Sequence, residues 1–391
     1  MPNAVIVGAA RTPIGAFQGS LSSLSAAKLG AVAIKAALER AGVAPDQVDQ
    51  VYMGNVLMGG QGQAPARQAA IYAGLPKKVP CTTINKVCGS GLKAVMLAAN
   101  EIRLGEAQVV VAGGMESMSN APYYLFKARD GYRMGNGELV DGMIHDGLWD
   151  PYGNVHMGTC GDLCAREKNF SREDQDAFSK TSYERAQKAW AEGLFQDEVV
   201  PVQIPQRKGD PVVVSQDEEP AKGNFKKMPE LRPAFGKEGT VTAANASKID
   251  DGAAAVVVVS EDYAKQHRLT VLGRIVAYDG VAQEPEWFTT APVGAIQRTL
   301  DKVKLSTGDI DLYEINEAFA VVTMVTMREL KLDHAKVNVH GGAVSLGHPI
   351  GCSGTRILVT LLHAMKARGA KRGLASLCIG GGEAVALVVE R

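Results

Sequence analysis

The sequence CSGTRILVTLLHAMKARGAKRGLASLCIGGG at residues 352–382 decides the fold, because an earlier segment repeats its pattern. The earlier segment, GSGLKAVMLAANEIRLGEAQVVVAGG, occupies residues 89–114. Each copy runs from a Ser-Gly pair through an amphipathic helix and a glycine to an apolar strand that ends in glycines. The recurrence of this pattern in two segments indicates duplication, although chance similarity of two βα units is the alternative.

A further pair of segments lies upstream of each copy. Residues 46–56 read DQVDQVYMGNV, and residues 309–319 read DIDLYEINEAF. Both begin with an acidic residue and continue through a tyrosine to an asparagine, Asn55 or Asn316. Because the order of features agrees over a long stretch, we interpret the chain as two related halves.

Short apolar runs rich in Val and Ile predict buried strands at 4–10, 108–114, 253–260 and 374–382. Amphipathic stretches, such as those at 25–42 and 91–105, predict helices between them. Alternation of strands and helices is typical of an α/β core with parallel strands.

The stretch 118–247 has no counterpart in the repeat, and we interpret it as an insertion that carries binding surface. The predicted division is an N-terminal half at 1–117 that continues at 248–268, an inserted loop domain at 118–247, and a C-terminal half at 269–391.

Composition excludes several functional classes. The 391 residues include 42 Lys plus Arg and 42 Asp plus Glu, which argues against binding to nucleic acid or to an anionic membrane. No apolar run approaches the ~20 residues of a membrane helix, and no secretory leader is recognisable. Six cysteines are too few for a disulfide scaffold, so we expect a cytoplasmic protein.

Cys88 is the first candidate for chemistry, in the segment INKVCGSGLKAVMLAA. A thiol at a helix N-terminus feels the positive end of the helix dipole, which lowers its pKa and favours the thiolate. Flanking glycines allow a substrate carbonyl to approach the backbone, as a nucleophile with an oxyanion hole requires. The alternative is a small buried cysteine beside a tight turn.

His348 lies in the glycine-dense segment NVHGGAVSLGHPIGCSG, which corresponds to the Cys88 loop in the other half. A pseudo-twofold relation would bring the two loops to one cleft, and this favours a Cys–His pair over a structural histidine. His340, in the same loop, is the rival candidate.

Cys378 and Asn316 complete the set. Cys378 ends a predicted strand before three glycines, where α/β sheets bind ligands, although a core cysteine is the plain alternative. Asn316 is polar in an apolar stretch, so it either caps a turn or holds a water or an oxyanion.

Four motifs in this order, VCGSG, NEAFA, GGAVSLGHPIG and CIGGG, resemble the thiolase family over essentially the whole chain. The resemblance implies an α/β thiolase fold, with duplicated βαβαβαββ halves in a five-layered α-β-α-β-α arrangement and an inserted loop domain. It also implies dimers or dimers of dimers, and we expect a homotetramer because residues 118–140 correspond to the family's tetramerisation loop.

The resemblance assigns a role to each candidate. Cys88 would accept the acyl group, His348 would activate it, and Cys378, whose pKa should lie near ambient pH, would move the α-proton. Asn316 would hold a water that forms one oxyanion hole with His348, and the backbone N–H groups of Cys88 and Gly380 would form the other. The substrate and coenzyme A pocket would be lined by His156, Met157, Phe235, Ala244, Ser247, Ala318 and Phe319.

The implied reaction is a reversible Claisen condensation of two acetyl-CoA to acetoacetyl-CoA and coenzyme A. The alternatives are a degradative 3-ketoacyl-CoA thiolase of broader chain length and a non-catalytic protein that binds acyl-CoA. No cofactor is expected, although the TAANAS segment resembles a subgroup in which some members respond to potassium. Ala244 and Lys248 depart from the glycines that are usual in bacterial members. Cys160 and Cys164 lack the second pair of a metal site, so none is predicted.

Overall fold

The buried apolar runs form a ten-stranded sheet in this computed structural model, which describes residues 2–391. Strands β6 to β11 instead form three separate two-stranded ribbons. In chain order the strands are β1 (Ala4–Arg11), β2 (Gly15–Ala16), β3 (Gln50–Gly54), β4 (Cys81–Ile84), β5 (Val109–Ser117), β6 (Tyr123–Tyr124), β7 (Val140–Asp141), β8 (Trp149–Asp150), β9 (Val155–His156), β10 (Val202–Ile204), β11 (Val212–Val214), β12 (Asp250–Ser260), β13 (Gly273–Ala282), β14 (Leu312–Ile315), β15 (Arg372–Ile379) and β16 (Glu383–Glu390).

Glycines end the helices of the repeat. Gly105 and Gly369 follow the two repeated helices with φ of 78° and 63°, the left-handed conformation that closes a helix without a Cβ penalty. The α-helices are α1 (Ala26–Ala41), α2 (Pro65–Tyr72), α3 (Ser90–Leu104), α4 (Met157–Glu167), α5 (Arg172–Ala191), α6 (Glu261–Gln266), α7 (Ala291–Asp301), α8 (Ala320–Leu330), α9 (Ala343–Leu346) and α10 (Ile350–Arg368).

The order of strands in the sheet reproduces the duplication. From the centre outward one wing reads β1, β12, β5, β3 and β4, and the other reads β13, β16, β15 and β14. In each wing the first two pairings are antiparallel and the third is parallel. A parallel bridge from Tyr313 to Val337 stands where β4 pairs in the first wing. The two halves therefore share one topology, as the repeat predicts.

The prediction of a core with parallel strands is confirmed only in part, because the sheet is mixed. Strand β12 pairs antiparallel with β1 and with β5, and β15 pairs antiparallel with β16, whereas β5 pairs parallel with β3 and β15 pairs parallel with β14. These strands are buried on both faces, so their apolar runs are as continuous as those of parallel strands. Hydrophobic pattern reports burial and not strand direction.

Helices α3 and α10 lie between the two wings. Helix α10 packs on β5 and β12 of the first wing and on β14 and β15 of the second. Helix α1 covers the other face of the first wing, and α7 covers the other face of the second. The result is the five-layered α-β-α-β-α arrangement that the resemblance implies.

The two central helices approach each other through the glycines of their Ser-Gly pairs. A Cβ at Gly354 would lie 2.3 Å from the backbone nitrogen of Leu92, and one at Gly91 would lie 2.7 Å from that of Thr355. The Gly351 carbonyl fits against Gly114, where a Cβ would lie 2.0 Å away. Only glycines permit backbones this close, so the repeated Ser-Gly pair is a packing requirement of the helix crossing.

Between β5 and β12 the chain forms the short ribbons, α4 and α5. Helix α5 begins after Ser171, whose side chain accepts the Asp174 N–H at 3.0 Å in a capping box. The division at 117, 247 and 268 stays a prediction. Over residues 2–391, none of the helices combines the length and apolar character that crossing a membrane would demand.

We expect Gly354→Val to lower the melting temperature by about 5 °C or more, because its side chain would collide with Leu92 backbone atoms that cannot move aside. Thermal unfolding followed by circular dichroism measures the change. The matched control is Gly308→Ala, at an exposed glycine where an added Cβ would lie 3.6 Å from Ser306 Oγ, an ordinary van der Waals contact. Equal melting temperatures for the wild type and Gly354→Val would contradict this account of the helix crossing.

Candidate active site

Cys88 lies in a sharp turn between β4 and α3. Val87, immediately before it, has φ of 45°, an unfavourable backbone conformation for a β-branched residue. Ser90 holds the turn, because its Oγ accepts the Lys86 N–H at 2.8 Å and donates to the Val87 carbonyl at 2.6 Å. Strain of this kind persists where surrounding contacts fix it, commonly at functional sites.

The Cys88 thiol is neutral at rest, contrary to the thiolate predicted from its position before a helix. Desolvation raises the pKa of Cys88 to about 11. The backbone N–H groups of Gly380 and of Cys88 itself contact the sulfur and lower the pKa, but by less. The predicted pair of N–H donors is therefore present around this sulfur, while a full thiolate is not.

His348 is fixed from two sides. Its backbone N–H donates to Asp250 Oδ2 at 2.8 Å, which anchors the loop to β12. Its Nδ1 lies 2.5 Å from Ser353 Oγ, one turn into α10. The Ser353 hydroxyl donates to the Pro349 carbonyl at 2.9 Å, so Oγ accepts from Nδ1–H. The lone pair of His348 is then on Nε2.

The free nitrogen of His348 is suited to accept a proton. Nε2 is buried and has no partner among residues 2–391. Burial, helped by the positive charge of Arg356, lowers the pKa of His348 to about 3, so the imidazole is neutral at physiological pH. A neutral imidazole beside a neutral thiol can take the thiol proton when a substrate carbonyl arrives.

Cys378 is fully buried at the end of β15. Burial, followed by the charge of Cys88, raises the pKa of Cys378 well above its ordinary value. Cys378 packs in the apolar cluster that also contains Ala318 and Phe319. The expectation of a resting pKa near ambient pH for this thiol is wrong, because desolvation dominates.

Asn316 follows β14 and donates its backbone N–H to the Ser376 carbonyl of β15 at 3.0 Å. Both polar atoms of its buried side chain lack a hydrogen-bond partner within the described chain. Its counterpart Asn55 differs, because its Nδ2 donates to Glu116 Oε1 at 2.7 Å. The duplication thus leaves Asn55 with a bonded amide nitrogen and Asn316 with neither side-chain polar atom bonded among residues 2–391.

One apolar cavity unites most of the candidates. Cys88, His348 and Gly380 line it, together with five predicted substrate residues: His156, Met157, Ser247, Ala318 and Phe319. Sequence reasoning missed the remaining lining residues, which carry no chemical signature: Val87, Gly147, Leu148, Phe288 and Ile350.

Phe235 and Ala244 do not line this cavity. Phe235 stands behind its wall, stacked on His156 with ring centroids 4.5 Å apart. A Cβ at Gly158 would lie 2.1 Å from the Phe235 ring, so the glycine after Met157 makes room for the stack. Ala244 packs instead in a separate apolar cluster with Tyr183, Met228 and Val344.

The remaining candidates have structural surroundings. The buried His340 packs edge-on against Phe195, with ring centroids 5.9 Å apart. Cys160 and Cys164 are buried in the apolar cluster that contains Cys378. Residues 2–391 bring no group of three or more His, Cys, Asp or Glu side chains together as metal ligands.

Ser353 and Asp250 were also missed as functional residues. In the sequence, Ser353 is marked only as the serine of the repeated Ser-Gly pair, which does not indicate a contact with His348. Asp250 offered no signal, because its partner His348 lies 98 residues away in the sequence.

Known protein families match almost the whole chain. A model of the thiolase N-terminal domain matches residues 4–262, and a model of the thiolase C-terminal domain matches residues 269–391. The chain belongs to the thiolase family. This thiolase is 57% identical to an acetyl-CoA acetyltransferase of Cupriavidus necator, with all of both chains covered.

Two further relatives agree. Acetyl-CoA acetyltransferase 2 of Arabidopsis thaliana is 55% identical, over 98% of this chain and 96% of its own length. The crystal structure of a thiolase from Ascaris suum in complex with coenzyme A superposes with a TM-score of 0.95 at 43% identity, covering 100% of both chains.

We expect Ser353→Ala to lower kcat about 10- to 100-fold, because the imidazole loses the acceptor that keeps the proton on Nδ1. Steady-state kinetics and circular dichroism measure activity and folding. The matched control is Thr355→Val on the same helix, which removes a hydroxyl with no hydrogen-bond partner. Unchanged kcat in Ser353→Ala would contradict the proposed tautomer.

Proposed function

We propose that this thiolase is an acetyl-CoA acetyltransferase, which condenses two acetyl-CoA to acetoacetyl-CoA and free coenzyme A, or runs the reverse reaction. The observation that carries the proposal is the convergence of Cys88, His348 and Gly380 on one apolar cavity, with Cys378 buried in the apolar cluster that includes Ala318 and Phe319 of the cavity wall. The names of the relatives from Cupriavidus necator and Arabidopsis thaliana support the same activity.

In the first half-reaction His348 Nε2 takes the Cys88 proton while the sulfur attacks the acetyl-CoA carbonyl. The N–H groups of Cys88 and Gly380 stabilise the oxyanion, and each such donor is typically worth ~3–4 kcal/mol. The carbon–sulfur bond to coenzyme A breaks, and its thiolate takes the Cys378 proton. An acetyl-Cys88 thioester, an imidazolium and a Cys378 thiolate remain.

In the second half-reaction the Cys378 thiolate removes a methyl proton from a second acetyl-CoA. Its raised pKa makes it a strong base once it is formed. His348 and a water held by Asn316 stabilise the enolate oxygen. The new carbanion attacks acetyl-Cys88, the carbon–carbon bond forms, and the released Cys88 thiolate recovers its proton from His348.

The assembly we propose is a homotetramer. Large apolar side chains are exposed along the segment that corresponds to the tetramerisation loop, with Phe126 60% and Met134 99% exposed. Strand β4 ends the sheet with a free edge. Cytoplasmic location and a response to potassium stay predictions.

We expect Cys88→Ala to lower acetoacetyl-CoA thiolysis by on the order of 10³-fold or more and to abolish acetyl-enzyme formation, because the acceptor sulfur is gone. Cys378→Ala should form acetyl-Cys88 from acetyl-CoA more slowly than the wild type, because the leaving thiolate loses its proton donor, and should not condense it. Intact-protein mass spectrometry distinguishes the two, with Cys81→Ala on the edge strand as control. An acetyl-enzyme in Cys88→Ala would refute the assignment, and coenzyme A binding by an inactive wild type would favour the non-catalytic alternative.

We expect cleavage of acetoacetyl-CoA to exceed that of 3-ketohexadecanoyl-CoA at least about tenfold in kcat/KM, because a chain of that length cannot be accommodated. Met157, Phe288 and Phe319 close around the narrow cavity. Parallel thiolysis assays with both substrates measure the ratio. Equal values would favour the degradative 3-ketoacyl-CoA thiolase instead.

A further inference from the structure

Lys248 folds back over its own loop. Its Nζ donates to the Ala243 carbonyl at 2.7 Å and to the Ala246 carbonyl at 2.8 Å. The same ammonium lies 5.7 Å from the centre of the Tyr183 ring. Carbonyl oxygens and an aromatic face are ligands for a compact cation, so the side chain supplies a cation to a site made by its own backbone.

The loop that Lys248 closes is a wall of the reaction cavity. Ser247, its neighbour, lines the cavity and donates its backbone N–H to the Ala318 carbonyl at 2.9 Å. The Ala320 N–H donates to the Asn245 carbonyl at 2.8 Å. Loop 242–248 and the segment that carries Ala318 are therefore joined by backbone hydrogen bonds, and the ammonium bonds two carbonyls of the loop.

Three acidic residues influence this ammonium electrostatically without forming an ion pair with it. Glu219, Asp250 and Glu317 all act on it electrostatically and favour its charged form. Burial nevertheless lowers the pKa of Lys248 to about 8, so the group is mostly charged at neutral pH. Asp250 is also the acceptor of the His348 backbone N–H. The ammonium thus interacts electrostatically with the residue that anchors the histidine loop.

We propose that Lys248 is a positioning residue whose ammonium serves as a built-in cation for loop 242–248 and so sets the affinity of the cavity for acyl-CoA. The inference rests on the proposed function and deepens it. Without the cation the carbonyls of Ala243 and Ala246 lose their partner, and the wall formed by Ser247 shifts. The reacting groups Cys88 and Cys378 are untouched.

The test uses acetoacetyl-CoA thiolysis by the full chain. Lys248→Met keeps the length of the side chain without the charge and should raise KM about tenfold, with kcat within about threefold. Lys248→Ala should show the same rise, and ammonium chloride should reverse it where choline chloride of equal ionic strength does not. Small ammonium ions can donate to both carbonyls, and choline cannot. The control is Lys35→Met on α1, where the side chain is 68% exposed.

The possible results distinguish a failure of the Lys248 inference from a failure of the proposed function. An active wild type with unchanged KM in Lys248→Met overturns the inference and leaves the proposed function standing. A raised KM that ammonium fails to restore in Lys248→Ala overturns the cation role. If neither neutral variant folds, Lys248→Arg decides, because a retained cation must keep KM within about threefold of the wild type. An inactive wild type overturns the proposed function, and the inference falls with it.

Discussion

The close crossing of α3 and α10 is the constraint on which the rest of the molecule depends. Because Gly91 and Gly354 lack side chains, the N-terminal ends of both helices meet backbone to backbone between the two wings of the sheet. Cys88 lies just before one helix, and His348 lies just before the other. A wider crossing would separate the thiol from the imidazole, so the same contact that packs the core assembles the reacting pair.

Burial is the dominant electrostatic effect at the site. It raises the pKa of Cys88 and Cys378 and lowers that of His348, so all three groups rest in their neutral forms. A neutral resting state avoids the desolvation cost of charges in an apolar cavity. Charge then develops only when a substrate carbonyl arrives, where the N–H groups of Cys88 and Gly380 are already oriented.

Buried hydrogen bonds fix the positions of the reacting groups relative to the sheet. Asp250 holds the His348 loop against β12, and Ser353 orients the imidazole ring. Glu116, at the end of β5, accepts the Gly351 N–H at 2.9 Å and so fixes the start of α10. These contacts join residues that are distant in sequence, and each constrains a loop that would otherwise be free to move.

The sequence alone determined the duplication, the helix ends at Gly105 and Gly369, and the identity of the chemical groups. These three features depend on local periodicity, on the backbone freedom of glycine and on the order of motifs, and short segments of sequence contain all of this information. Strand direction, the neutral resting thiols, the position of Phe235 behind the cavity wall and the role of Ser353 were decided only by the tertiary structure. The physical reason is that burial and hydrogen-bond partners arise from segments that meet only after folding, as Asp250 and His348 do.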